Sequence, residues 1–216
     1  MTKTVNYSHT NSYETLNQLS AGTKNIWICF HGLGYLATYF KRYFESLSSE
    51  DNYCIVLQAP SKSYIGKDFK HVGACWLTKV DTDQEMENNL KYIKASLENE
   101  RIIGDARIIL FGYSQGVSIA TRFFTQYHYP IKALIMHSGK IPDELNQDDA
   151  AHFTKYCDQF IHISGTKDEY ATEDLEKLEL EKLKALFGTN YERHRPEITH
   201  VVHVPLLEQI AKKLAI

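Results

Sequence analysis

Short, continuously apolar runs alternate along this chain with segments of helical period, and that alternation restricts the fold more than any other feature. The runs are Ile26 to Phe30, Cys54 to Leu57, Arg107 to Phe111, Ala133 to Met136 and Phe160 to Ser164. Most lack a polar face, as strands covered on both sides must. Between them, Met86, Leu90, Ile93 and Leu97 repeat at helical spacing behind Asp83, a residue suited to cap a helix. Leu175, Leu178, Leu183 and Leu186 form a later stripe, and Leu207, Ile210 and Leu214 stripe the last helix. Strand and helix in alternation imply an α/β fold: a mostly parallel central sheet with helices on both faces. The opening stretch differs. Val5, Tyr7, Tyr13 and Leu16 around Ser8 to Ser12 suggest an antiparallel edge hairpin. The length of 216 residues suits one domain spanning 1–216.

Within this frame the segment RIILFGYSQGVSIA, Arg107 to Ala120, is the most informative. An apolar strand runs into Gly112, Tyr113, Ser114, Gln115 and Gly116 and then into a helix, the context in which G-x-S-x-G forms a nucleophile elbow. Chance alone supplies about 0.07 such pentapeptides in a chain of this length, so it is the strand-to-helix setting that gives the motif weight. Ser114 is the expected nucleophile. After the strand IWICF come His31, Gly32, Leu33 and Gly34, a turn able to aim an amide at an oxyanion. Leu33 N–H and Gln115 N–H are the expected donors, with His31 itself a buried, satisfied side chain.

The loop after FIHIS holds Asp168 at the carboxyl edge of the sheet, where ligands bind in open α/β folds. Glu169 competes with it, whereas Asp174 suits the first turn of the next helix. On such a scaffold the base follows the acid in sequence, which leaves His194, His200 and His203. His194 falls in YERHR, whose alternation reads as a last strand. Pro205 favours a helix start near His203 or Val204, committing His203 to the helix and leaving His200 free in the preceding loop.

Net charge is −3, from 24 Lys and Arg against 27 Asp and Glu, which gives no positive field for a nucleic-acid partner. The four cysteines contain no C-x-x-C and read as reduced thiols. Met1 to Leu16 is polar and no run approaches the roughly 20 apolar residues of a membrane span, so the expectation is a cytoplasmic protein without a transmembrane segment.

Taken together, HGLG at His31, QAP at Gln58, Trp76 ahead of an acidic helix, FGYSQG at Phe111, HSGKIP at His137 and SGTKD at Ser164 resemble one family. It is the α/β-hydrolase fold carboxylesterases of the phospholipase/carboxylesterase group, which includes acyl-protein thioesterases. The resemblance spans roughly residues 24 to 214, and the separations of Ser114, Asp168 and His200 agree with it. It implies Ser114 as nucleophile, Asp168 as acid, His200 as base and Leu33 with Gln115 as the oxyanion pair. The chain departs from the family with Tyr35 where many relatives have Asp, Val117 after Gly116, and no Gly before His200.

The expected activity is hydrolysis of small-molecule or lipid-like acyl esters or thioesters through an acyl-enzyme, with no metal and no cofactor. Gly139 to Gln159 is the expected cover over the site, too short for a full cap domain, and Tyr35, Trp76 and Leu77 are candidate pocket residues. Two other readings stand beside this one. A metallohydrolase would use His194, His200 and His203, although HVVH lacks the Glu of H-E-x-x-H. A catalytically inactive α/β-hydrolase fold would serve as a binding protein.

Overall fold

The computed structural model describes residue 1 and residues 3–216. Its main sheet has seven strands: β1 (Tyr13–Leu16), β2 (Asn25–Phe30), β3 (Asn52–Leu57), β6 (Ile108–Tyr113), β7 (Ala133–His137), β8 (Phe160–Ile163) and β9 (Glu192–His194). Between β3 and β6 a separate two-stranded hairpin forms from β4 (Ser61–Ile65) and β5 (His71–Cys75). In space the large sheet runs β1-β3-β2-β6-β7-β8-β9. Every pairing in it is parallel except β1 with β3 at the edge.

The helices are α1 (Ala37–Phe40), α2 (Thr82–Asn99), α3 (Gln115–Gln126), α4 (Ala150–Tyr156), α5 (Glu173–Phe187) and α6 (Val204–Leu214). Because neighbouring strand residues point to opposite faces, two cores form. Ile26, Ile28, Phe30 and Leu110 meet Ile93 of α2, Phe124 of α3, Phe153 of α4 and Leu183 of α5 on one face. Trp27, Cys29 and Phe111 meet Phe40 of α1 and Leu207, Ile210 and Leu214 of α6 on the other. Full burial of a side chain such as Trp27 or Phe111 stabilises the fold by about 2–3 kcal/mol. The expected mostly parallel sheet with helices on both faces is the observed architecture.

Register aligns the carboxyl ends of the central strands into a shelf. Phe30 pairs with Gly112, Tyr113 with His137, and His137 with Ile163. The ladder continues past the strand ends, where Ser114 N–H donates to His137 O, Ser138 N–H to Ile163 O and Ser164 N–H to His194 O. Three serines therefore emerge side by side at one edge.

Several local expectations are corrected. Among the described residues the N-terminal stretch forms no hairpin: β1 lies antiparallel at the sheet edge, as expected, but its partner is β3, and Val5 and Tyr7 are exposed. Asp83 is inside the first turn of α2, and Asp81 holds the cap position in a left-handed conformation without a side-chain bond. Of the expected stripe on α5, Leu183 and Leu186 are buried, joined by Phe187, whereas Leu175 and Leu178 are exposed. Most of Gly139 to Gln159 does not cover the shelf, since α4 inserts Phe153 into the core beneath it. The four cysteines are free, and Cys29, Cys54 and Cys157 are buried thiols whose pKa burial pushes upward. Among the described residues no helix is long and apolar enough to cross a membrane.

Candidate active site

Ser114 occupies the single residue between β6 and α3, with φ 52° and ψ −120°. That conformation costs a residue with a side chain on the order of 1–3 kcal/mol, so its surroundings must impose it. Ser114 N–H is tied to His137 O at 2.9 Å, and Ser114 O accepts from Val117 N–H at 3.0 Å. The flanking glycines are steric requirements. A Cβ on Gly116 would lie 2.0 Å from Phe30 O, and one on Gly112 would lie 2.5 Å from the Val117 Cα.

His200 Nε2 is 2.9 Å from Ser114 Oγ, and His200 Nδ1 is 2.8 Å from Asp168 Oδ2. With Nδ1–H donating to the carboxylate, the Nε2 lone pair faces the serine hydroxyl. The Asp168 side chain is 2% exposed, and its other oxygen accepts from Tyr170 N–H at 2.9 Å. Two loops hold this pair together, because Thr166 N–H donates to Pro196 O and Lys167 N–H to Ile198 O. Gly165 permits the approach: a Cβ there would sit 2.4 Å from Ile198 O. Tyr113 OH donates to His200 O at 2.8 Å, and the Tyr170 ring stands edge-on to the imidazole at 4.7 Å.

The competing residues lie elsewhere. His203 caps α6, its Nδ1 accepting from Leu206 N–H, and its own N–H donates to His137 Nε2. His194 lies beside Glu192 on β9. The three late histidines therefore do not converge, and among the described residues no group of three or more His, Cys, Asp or Glu side chains is placed to hold a metal. Glu169 and Asp174 are exposed, Asp174 in the first turn of α5.

Leu33 and Gln115 both line the cleft above Ser114. Among the described residues neither backbone N–H donates a hydrogen bond. The turn presenting Leu33 is braced on every side. Gly34 N–H donates to Ala74 O, and the Trp76 indole N–H donates to His31 O at 2.8 Å. The Gln115 side chain accepts from Trp76 N–H and donates to Leu77 O, joining the elbow to the end of β5. His31 is buried, donating through Nδ1 to Gly32 O and accepting at Nε2 from Ala59 N–H; burial lowers its pKa to about 4 and keeps it neutral.

The profile of the phospholipase/carboxylesterase family matches residues 13–216. The chain belongs to that family. As a family member it is a hydrolase of the carboxylesterase class. Among solved structures it is similar to Zea mays acyl-protein thioesterase 2 at 17% identity and a TM-score of 0.71, over 95% of this chain and 98% of that one. Esterase PE8 has 20% identity and a TM-score of 0.68, over 95% and 100%. A Bacillus cereus carboxylesterase has 14% identity and a TM-score of 0.65, over 95% of each chain. At these identities the likeness concerns the fold. No curated protein matches the chain.

The expected pocket residues Tyr35, Trp76 and Leu77 do not line the family member's cleft. Trp76 is 0% exposed and packs against Phe30 and His31, so an aromatic that looks available in sequence is core here. Tyr35 bonds Tyr43 and packs on Phe40, and Leu77 rests against the core. Sequence reasoning overlooked Tyr170, which screens His200, and also His162 and Glu179, which line the cleft from β8 and α5. The only available signal for these was a polar residue interrupting an apolar strand, FIHI, and an acid on the face of a leucine stripe.

Proposed function

We propose that this single-domain chain, residues 1–216, is a serine hydrolase acting on carboxylic esters or thioesters through an acyl-enzyme. Ser114 Oγ attacks the carbonyl carbon while His200 Nε2 accepts its proton, and Asp168 orients the imidazole and balances its positive charge. The Leu33 and Gln115 amides receive the oxyanion. Collapse expels the alcohol or thiol, which takes the proton back from His200. Water then attacks the acyl-Ser114 ester with His200 again as base, releasing the acid and restoring the hydroxyl. No step calls for a metal or a cofactor. The substrate is a small-molecule or lipid-like acyl ester reaching an open cleft.

The observation that carries this reading is the unbroken relay of 2.9 and 2.8 Å from a strained Ser114 through His200 to a buried Asp168. The test is labelling by a fluorophosphonate together with turnover of p-nitrophenyl butyrate. Ser114→Ala is expected to remain folded, to lose the label and to lower kcat on the order of 10⁶-fold. A folded parent that neither labels nor turns over any ester would instead be a binding protein.

A further inference from the structure

The cleft beside Ser114 has a volume of about 470 Å³, in the range of sites for small ligands. Leu33, Tyr170 and Leu175 give its mouth an apolar rim. Its floor, where β7, β8 and α5 meet, is polar, and most polar groups there are already committed. Ser164 Oγ donates to Glu176, whose carboxylate also takes Arg193 and Arg195. Ser118 accepts from Arg122, Ser138 bonds His137, and Lys140 pairs with Asp143.

Two groups are not committed. His162 is 2% exposed, its Nδ1 is sealed without a partner, and among the described residues its Nε2 makes no hydrogen bond either. Glu179 accepts from Ile141 N–H through Oε1, while Oε2 has no partner among the described residues. Burial raises the Glu179 pKa to about 7, and burial lowers that of His162 to about 3. The imidazole is therefore neutral, and the carboxyl titrates near neutrality. Nδ1 is closed to the cleft as well, so Nε2, which is not sealed, is the ring nitrogen a molecule in the cleft can meet, on the same face of β8 as the apolar Phe160.

We infer that His162 and Glu179 form a specificity subsite for a neutral hydroxyl group on the substrate, a few bonds from the carbonyl that Ser114 attacks. A hydroxyl both donates and accepts, so it can meet a neutral imidazole nitrogen and a carboxyl group that line one cleft. Charged ligands fit less well. Arg193 and Arg195 near His162, and Lys140 and Lys182 near Glu179, oppose an ammonium group, while Glu179 opposes a carboxylate. A site that must hydrogen-bond its substrate discriminates against the analogue lacking the hydroxyl more sharply than an apolar pocket discriminates by size.

The inference rests on the Ser114 acyl-enzyme reading, and its test separates the two. The full chain is assayed on two matched pairs. p-Nitrophenyl 3-hydroxybutyrate against p-nitrophenyl butyrate places the hydroxyl on the acyl side, and glycerol monobutyrate against ethyl butyrate places it on the alcohol side. The parent is expected to favour the hydroxylated member of one pair by about tenfold or more in kcat/KM, and the pair that responds identifies the side. His162→Leu and Glu179→Gln, each checked for folding by thermal unfolding, are expected to bring that ratio towards one. A merely structural role would lower both esters alike and leave the ratio unchanged. No preference in either pair, or a preference that survives both substitutions, overturns the subsite. A parent that fails to label with fluorophosphonate overturns the acyl-enzyme reading itself.

Discussion

The two walls of the cleft are built on opposite terms. On the wall from β2 and β5, side-chain donors and acceptors close on one another: Asn89 holds Trp76 O, Trp76 holds His31 O, and Gln115 holds both Trp76 and Leu77. Left over among the described residues are the Leu33 and Gln115 amides, which face the cleft, and Asn89 Oδ1, which is buried behind it. On the wall from β8 and α5, His162 Nε2 and Glu179 Oε2 have no partner among the described residues, although both side chains are largely buried. Groups that meet a charge at a fixed point gain from rigidity, since preorganised dipoles need no rearrangement as the reaction proceeds. Groups that meet a ligand must keep their bonding capacity until it arrives, at some expense in stability.

The sharpest way to break this comparison is at the hinge between the walls. His200→Ala should lower kcat by several orders of magnitude with little change in thermal midpoint, as expected for a triad acting as a unit. His203→Ala should do the reverse, losing about 1 kcal/mol of stability with its helix cap and retaining most activity. Equal kinetic losses in the two variants, measured on p-nitrophenyl butyrate, would undo the assignment of His200.

A smaller effect probes the rigid wall. Trp76→Phe keeps the ring but deletes the bond to His31 O, leaving that carbonyl short of its partner. It should cost about 1–2 kcal/mol in denaturant unfolding. It should also lower kcat roughly tenfold while KM stays near the parent value, because only the transition state meets the Leu33 amide fully. A change confined to KM would mean that Trp76 touches the substrate after all.

The smallest effect is read on the open wall. His31, with its pKa lowered to about 4, and His137 and His162, each lowered to about 3, bind protons in the unfolded chain before they do so in the folded one. Their contribution to stability is therefore complete above pH 6.5 and is lost as pH falls from there towards 3. His31 and His137 accept backbone amides through Nε2, so replacing either also costs a hydrogen bond. His162 has no such bond. His162→Leu should match or exceed the parent in stability at pH 7, by on the order of 1 kcal/mol, and the gap should widen as pH falls to 4. Urea unfolding at the two pH values measures it, and a strongly destabilised variant would mean that the imidazole is satisfied internally.

The parts of this arrangement that were legible in sequence are those with a local signature. The elbow announces itself because only glycines fit beside Ser114, and the choice of His200 over His203 follows from Pro205 and the stripe of α6. Elements without such a signature escaped. β4, Ser61–Ile65, is exposed along its whole length and has no apolar alternation to mark it as a strand. Tyr35, Trp76 and Leu77 read as pocket residues in sequence because apolar bulk looks the same there whether it faces a ligand or a core. The significance of His162 and Glu179 lies in what does not touch them, which depends on β7, β9 and α5 being brought together.

The contact between Gly165 and Ile198 has a kinetic side. The loops bearing Asp168 and His200 are clasped by two backbone bonds, Thr166 to Pro196 and Lys167 to Ile198, while Ser114 is anchored separately in the sheet ladder through His137. A fluctuation that opens the clasp lets the base part from its acid and leaves the nucleophile in place. Such partial openings require less free energy than global unfolding. On warming, the chain can thus pass through a compact state with its sheet intact and its serine facing a base that no acid orients.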